Sequence, residues 1–154
     1  MPLTLGDSLP ALIVPATGGQ LLNLTDFIGS PVVIYFYPKD ATPACTTEAQ
    51  DFRDLMPEFS ALKCRILGVS RDSINAHEKF KANECLPFEL ISDQQETVCQ
   101  AFDVIKLKNM YGKQVMGIER STFLFNAQGL LHQEWRKVKA QGHAAAVLAA
   151  VKSL

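Results

Sequence analysis

Cysteine is scarce and scattered in this chain of 154 residues: four, at positions 45, 64, 85 and 99. No two form a C-x-x-C pair, which excludes a zinc knuckle and a thioredoxin-type dithiol. A surplus of charge is missing too. Fifteen basic and sixteen acidic side chains leave a net charge of −1, so nothing draws the chain to nucleic acid or an acidic membrane surface. No stretch approaches the roughly 18 apolar residues of a membrane span. The opening Met1-Pro2-Leu3-Thr4-Leu5-Gly6-Asp7 lacks the basic and apolar regions of a secretion signal. The expected compartment is therefore the cytoplasm, where thiols stay reduced. His77, His132 and His143 have no partner at helical spacing, so they read as surface or hydrogen-bonded histidines, and no metal is expected. Internal repeats, low-complexity tracts and linkers are absent, which leaves one domain over residues 1–154, long enough for a real core.

What is present is an alternation of strand and helix patterns. Residues 1–30 read as extended segments and turns, with Gly18-Gly19 marking an N-terminal hairpin. Pro31 to Tyr37 is continuously apolar and β-branched, as expected of a strand buried on both faces. Residues 43–60 carry an apolar stripe at Ala49, Phe52, Leu55, Met56 and Phe59, the mark of one docked helix. Arg65 to Ser70 reads as another buried strand. Asp72 or Ser73 caps a helix running to about Glu84. Phe88 to Ile91 is a short strand. Asp93, with Glu96 three residues on, opens a short helix as a capping box. Strands at 121–126 and 130–136 meet at the Asn126-Ala127-Gln128-Gly129 turn, and the Ala-rich tail from Gly142 is a helix. This order predicts a three-layer α/β domain with a central sheet flanked by helices.

One cysteine stands out by its setting. In Tyr35-Phe36-Tyr37-Pro38-Lys39-Asp40-Ala41-Thr42-Pro43-Ala44-Cys45-Thr46-Thr47-Glu48, an apolar strand runs through a turn into a helix start. Thr42 fits the N-cap, where its hydroxyl can hold a free helix N–H, and Pro43 fits the first helical position. Cys45 then lies in the first turn, among unpaired N–H groups at the positive end of the helix dipole, which favours a thiolate. A structural thiol would instead be expected inside an apolar run. Glu48 suits the dipole at the helix start and reads as structural. Lys39 reads as a surface lysine.

Pro38-x-x-x-Thr42-x-x-Cys45 resembles the active-site motif of the peroxiredoxins. The longer run Phe36-Tyr37-Pro38-Lys39-Asp40-x-Thr42-Pro43 is similar to the bacterioferritin comigratory protein, or peroxiredoxin Q, subfamily. Tyr111-Gly112-Lys113 and Met116-Gly117-Ile118-Glu119-Arg120-Ser121-Thr122-Phe123 resemble the same subfamily's arginine segment. The likeness runs from Gly6-Asp7 to the last helix. It implies a thioredoxin-like fold and a peroxidase in which the Cys45 thiolate attacks a peroxide oxygen and becomes a sulfenic acid. It also implies that Arg120 is the cation beside sulfur and oxygen, Thr42 a hydroxyl on the peroxide, and Pro38 a water-excluding wall. Without the resemblance, Arg120 reads better as an exposed strand-end arginine paired with Glu119. No cofactor is implied. Thioredoxin is the implied reductant, with glutaredoxin or glutathione open, and a monomer is implied over a dimer.

The chain also departs from its relatives. Many carry a second cysteine five residues after the first, where Gln50 stands here. Others carry one near Lys81. Cys85, about one turn later, is the nearest candidate resolving cysteine, while Cys64 and Cys99 read as small core residues. Ala44 replaces a common glycine, at little expected harm. Two mechanisms are open: a Cys45–Cys85 disulfide reduced by thioredoxin, or a one-cysteine enzyme resolved by an external thiol. The first requires the start of the Cys45 helix to unwind, because disulfide Cα atoms must approach within about 7 Å. A thioredoxin-like binding or holdase module without catalysis is the remaining reading. The intact set of Pro38, Thr42, Cys45 and Arg120 speaks against it.

Overall fold

The structure is a computed structural model that describes residues 3–154, so Met1 and Pro2 of the expected N-terminal stretch lie outside the described residues. Strands β1 (Ile13–Ala16) and β2 (Gln20–Asn23) form the expected hairpin. Gly18 and Gly19 supply its left-handed turn, at φ 79° and 67°, where a side chain would be strained. A 3₁₀ turn (Leu24–Phe27) leads to β3 (Val32–Phe36), every residue of which is buried. Helices α1 (Pro43–Asp54) and α2 (Met56–Ala61) follow, then β4 (Arg65–Ser70), α3 (Ile74–Glu84) and β5 (Glu89–Ser92). Helix α4 (Thr97–Ala101) precedes β6 (Ile105–Met110) and β7 (Lys113–Ile118). The chain closes with β8 (Ser121–Phe125), β9 (Leu131–Trp135) and α5 (His143–Lys152).

Seven strands form one mixed sheet in the order β2-β1-β5-β4-β3-β8-β9. Strands β3, β4 and β5 run parallel, and β1, β2, β8 and β9 join antiparallel at the flanks. The central β3 has hydrophobic neighbours on both faces because its side chains alternate across the sheet. Val33, Tyr35 and Tyr37 pack with Phe52 of α1, Phe80 of α3 and Val147 of α5. Val32, Ile34 and Phe36 pack with Leu24, Phe27 and the α4 residues Val98 and Cys99. The expected three layers are present, with most helices on one face. Among the described residues no helix is long and apolar enough to cross a membrane.

Three expectations need correction. The single helix over 43–60 is two helices, broken at Leu55. Pro57 has no N–H to continue the helical ladder, and its ring disfavours helical backbone before it. The capping box at Asp93 and Glu96 is not formed. Helix α4 begins later, and Asp93 reaches into it to accept from the N–H groups of Val98 (3.1 Å) and Cys99 (2.7 Å). Glu96 is left-handed and pairs with Arg71 at 2.9 Å. The β6–β7 hairpin was not expected. It stands outside the main sheet as a two-stranded ribbon, exposing Leu107, Met110, Tyr111, Val115 and Met116.

Gly68 of β4 lies opposite Tyr35 of β3. A methyl group there would sit 2.8 Å from Leu90 Cδ2 and 3.1 Å from the Tyr35 hydroxyl oxygen. Gly68→Ala is expected to lower the stability to urea by about 1–3 kcal/mol through overpacking. An equal or higher unfolding midpoint would show that this aromatic layer shifts freely.

Candidate active site

The site is assembled where β3 ends, where α1 begins, and where β7 passes into β8. Pro43 occupies the start of α1, as its missing N–H allows. The first helical bond runs from the Thr46 N–H to the Thr42 carbonyl at 2.9 Å. That leaves the N–H of Cys45 in the unpaired first turn. The Cys45 side chain is buried at 2% exposure, so its sulfur lies in a dry setting at a positive helix end.

Seventy-five positions later in the chain, Arg120 meets it. Arg120 Nη2 donates to Cys45 Sγ at 3.3 Å. Its Nη1 donates to Glu48 Oε1 at 2.6 Å. The alternative partner, Glu119, is not used by this guanidinium. Burial works against the Arg120 cation, but Glu48 and Cys45 outweigh it, and its pKa is raised. The planar fork suits this double duty, since one side chain can hold two acceptors in a fixed geometry. His143 lies behind this wall. Its Nε2 is 2.7 Å from Thr122 Oγ1, and its ring meets Trp135 edge-on at 5.7 Å. Burial, and secondarily Arg120, lower its pKa to about 4.

Thr42 is placed at the N-cap, but its hydroxyl makes no cap bond. It donates instead to the Lys39 carbonyl at 2.7 Å, which leaves its oxygen lone pairs and closes the turn from Pro38 to Thr42. Ala41 within that turn is left-handed at φ 62°. For a residue with a Cβ this conformation costs roughly 1–2 kcal/mol, and it persists only where neighbours over-determine it. Pro38 is half-buried at the end of β3, and Lys39 is exposed as expected.

Of the other cysteines, Cys64 and Cys99 are buried and Cys85 is exposed; all four are free thiols. Burial pushes the Cys64 thiol up to about 12 and the Cys99 thiol higher still. Cys85 caps α3 in left-handed backbone. Gln50 and Arg53 of α1 hold Glu84 beside it, at 2.7 and 2.9 Å. Those residues lie five and eight positions past Cys45, on the order of 10 Å along the helix at 1.5 Å per residue. The structure thus brings Arg120, Cys45 and Thr42 to one corner and leaves Cys85 apart. Lys81, at the alternative cysteine position, pairs with Glu89 at 2.6 Å.

Three groups near the site were missed or misread from the sequence. Glu48 is in the second turn of α1, wholly buried, and bound to Arg120, so its place has nothing to do with the dipole. The signal was its spacing: three residues on from Cys45, it shares that face of the helix. His77 and Asp40 are buried together at 2.6 Å, a contact across 37 positions. Lys108 of β6 lays its stem over Gly117, where a Cβ would meet it at 3.4 Å and Arg71 Nη2 at 3.7 Å. Burial, Arg120 and Arg71 lower its pKa.

Glu48 Oε2 is buried with no hydrogen-bond partner among the described residues. Burial raises its carboxyl pKa from 4.5 to about 7, against the opposing pull of Arg120. The native state therefore holds a proton there that the unfolded chain releases, so stability falls as pH rises through that window. Glu48→Gln keeps an acceptor for Arg120 and removes the titration. From pH 5 to pH 8, wild type is expected to lose on the order of 2 kcal/mol more urea stability than Glu48→Gln. Parallel profiles for the two proteins would refute the assignment.

A family model for AhpC/TSA proteins matches residues 5–134. The chain is 58% identical over 137 residues to peroxiredoxin Bcp of Xanthomonas campestris pv. campestris, covering 89% of this chain and 86% of that one. It is 47% identical over 154 residues to peroxiredoxin Bcp of Bacillus subtilis, covering 100% and 98%. A cysteine-to-serine mutant of Xylella fastidiosa PrxQ superposes with TM-score 0.94 at 41% identity, covering 99% and 98% of the two chains. A structure of the Xanthomonas campestris bacterioferritin comigratory protein, described for its alkyl peroxide reduction activity, gives TM-score 0.90 at 54% identity over 96% and 98%. With a buried thiol held by an arginine on a thioredoxin-like fold, these likenesses converge: the chain belongs to the AhpC/TSA family, in its bacterioferritin comigratory protein (peroxiredoxin Q) group, and is a thiol peroxidase.

Proposed function

We propose that Cys45 is the peroxidatic nucleophile, with Arg120, Thr42 and Pro38 completing its site. The observation that carries this is the 3.3 Å contact from Arg120 Nη2 to Cys45 Sγ. The thiolate attacks the nearer peroxide oxygen, the O–O bond breaks, and the leaving oxygen departs as water or alcohol after taking a proton. Sulfur loses two electrons and becomes a sulfenic acid. Charge moves from sulfur onto oxygen during this step. An arginine beside the sulfur is placed to follow that charge without moving. The Thr42 hydroxyl and the free Cys45 N–H supply further polar contacts. Hydrogen peroxide and organic hydroperoxides are the substrates that fit this reading.

Regeneration through Cys85 is the second part of the proposal. The Cys85 sulfur attacks the sulfenic sulfur, water leaves, and an intramolecular disulfide forms. Thioredoxin then reduces it, with glutaredoxin or glutathione as the alternative. Cys85 alone among the other three thiols is exposed. It is also held left-handed, so unwinding the end of α3 would release strain. The separation along α1 requires both helix ends to open, and it is the one feature that favours an external thiol instead. We infer a monomer acting as one domain over residues 1–154, since one continuous sheet is covered on both faces by its own chain. The cytoplasm is the compartment that would keep its four thiols reduced.

Cys45→Ser is expected to keep the fold and to lose peroxide reduction by at least about a thousandfold. Turnover within tenfold of wild type would reject Cys45 as nucleophile and leave the holdase reading. A second measurement addresses recycling: intact mass with peptide mapping after one equivalent of hydrogen peroxide and a sulfenic-acid trap. Loss of two hydrogens mapped to Cys45 and Cys85 is the expected result. A trapped Cys45 sulfenic acid with Cys85 free would make this a one-cysteine enzyme.

A further inference from the structure

The turn that carries Pro38 and Thr42 is held from below by a buried polar cluster to which the peroxidase chemistry gives no part. Asp40, at the centre of the turn, is 8% exposed, and His77 of α3 is 0% exposed. His77 Nδ1 lies 2.6 Å from Asp40 Oδ2. His77 Nε2 lies 2.8 Å from the Ile91 carbonyl of β5. One proton thus sits between Asp40 and His77, and the far ring nitrogen donates to the sheet. The Tyr37 hydroxyl donates to Asp40 Oδ1 at 2.6 Å. The Asp40 N–H donates to Asp72 Oδ2 at 2.9 Å, and Ser70 Oγ donates to that same oxygen at 2.5 Å. Ser92 Oγ completes the cluster on the Asp72 carbonyl at 2.6 Å. Asp40 is therefore bound on both carboxylate oxygens and on its N–H.

The residue after Asp40 is Ala41, whose backbone is left-handed at φ 62°. A free chain would relax an alanine out of that conformation. Relaxing it would swing Thr42 away from the Lys39 carbonyl and shift the cap of α1 that sets Cys45. What prevents this is the fastening one residue earlier, and its innermost member is His77. The ring spans from the turn to the β5 backbone, with Asp40 on one nitrogen and the Ile91 carbonyl on the other.

We propose that His77 is a positioning residue of the peroxidase site: by binding Asp40 and the β5 backbone together, it holds Ala41 in its strained conformation and so fixes Thr42 and Pro38 against Cys45. The proposal rests on Cys45 being the reacting thiol, as above. His77 touches no reacting atom and acts only through the turn.

The test is a double-mutant cycle in the full chain. His77→Gln keeps a polar side chain but cannot bridge Asp40 and Ile91 at once. It is expected to lower kcat/KM for hydrogen peroxide by roughly tenfold to a hundredfold, the size of effect a misplacement near 1 Å brings. Ala41→Gly removes the conformational penalty, since glycine adopts positive φ freely. Alone it is expected to leave kcat/KM within about twofold of wild type. Combined with His77→Gln it is expected to restore most of the lost rate while leaving the lost thermal stability unrestored, because the buried hydrogen bonds stay broken. The rate of Cys45 alkylation by iodoacetamide should fall and recover in step.

Two outcomes overturn the proposal. One is a His77→Gln enzyme as fast as wild type. The other is a slow His77→Gln enzyme that Ala41→Gly does not rescue, since the histidine would then serve general stability only. Cys45→Ser, run alongside, separates the two levels: if that variant keeps wild-type turnover, the reading of the nucleophile fails, whereas if it is inactive and the cycle shows no coupling, only the role of His77 fails.

Discussion

The Arg120 guanidinium is the joint on which this site depends. One side of the fork holds Glu48 and the other holds the Cys45 sulfur. Both acceptors lie on α1, and the arginine comes from the crossing between β7 and β8, so this pairing locks a helix to the far side of the sheet. It also explains a buried carboxylate that would otherwise be hard to justify. An isolated glutamate in a dry core is strongly disfavoured. Here it orients an arginine that must point at a sulfur, and the site accepts an unmatched Glu48 oxygen as the consequence.

Burial and polarity are arranged in opposition around that joint. The aromatic layer of Tyr35, Tyr37, Phe52 and Phe59 packs ring on ring under α1 and keeps water from the sulfur. Most polar groups at the edge of this layer are tied, Asp40 to His77 and Tyr37 and His143 to Thr122, while the Tyr35 hydroxyl and Glu48 Oε2 are buried without a partner among the described residues. Two left-handed residues, Ala41 and Cys85, sit at opposite ends of this scheme. Ala41 is fastened by buried bonds. Cys85 is exposed and bonded only within its own helix, with the nearest fastening from α1 falling on Glu84. Strain held firmly keeps a geometry, and strain held loosely makes a segment easy to open.

Much of this was legible from the sequence, for physical reasons that differ by element. Strand β3 could be read because burial on both faces forces a continuous apolar run. Helix α1 could be read because its start uses Thr42 and Pro43, and its buried face repeats with the helix period. The β6–β7 ribbon could not be read from periodicity, since only its base, at Ile105 and Ile118, reaches the core, while Leu107, Val115 and Met116 are exposed beside lysines. Pro57 was present in the sequence, yet the apolar stripe runs straight across it, and the stripe concealed the break. At the site, the places of Cys45 and Thr42 at the start of α1 follow from local spacing. The Glu48–Arg120 and Asp40–His77 pairs join residues 72 and 37 positions apart, and no local pattern encodes such meetings. Only the motif likeness pointed to Arg120, and nothing pointed to His77.

Trp135, the chain's one tryptophan, lies edge-on to His143, which in turn holds Thr122, two residues along β8 from Arg120. The fluorophore is thus two side chains from the wall that faces the sulfur. A rearrangement of this wall that reaches His143 would alter the surroundings of the indole, so intrinsic tryptophan emission is the natural readout for it, needing no dye and no added label.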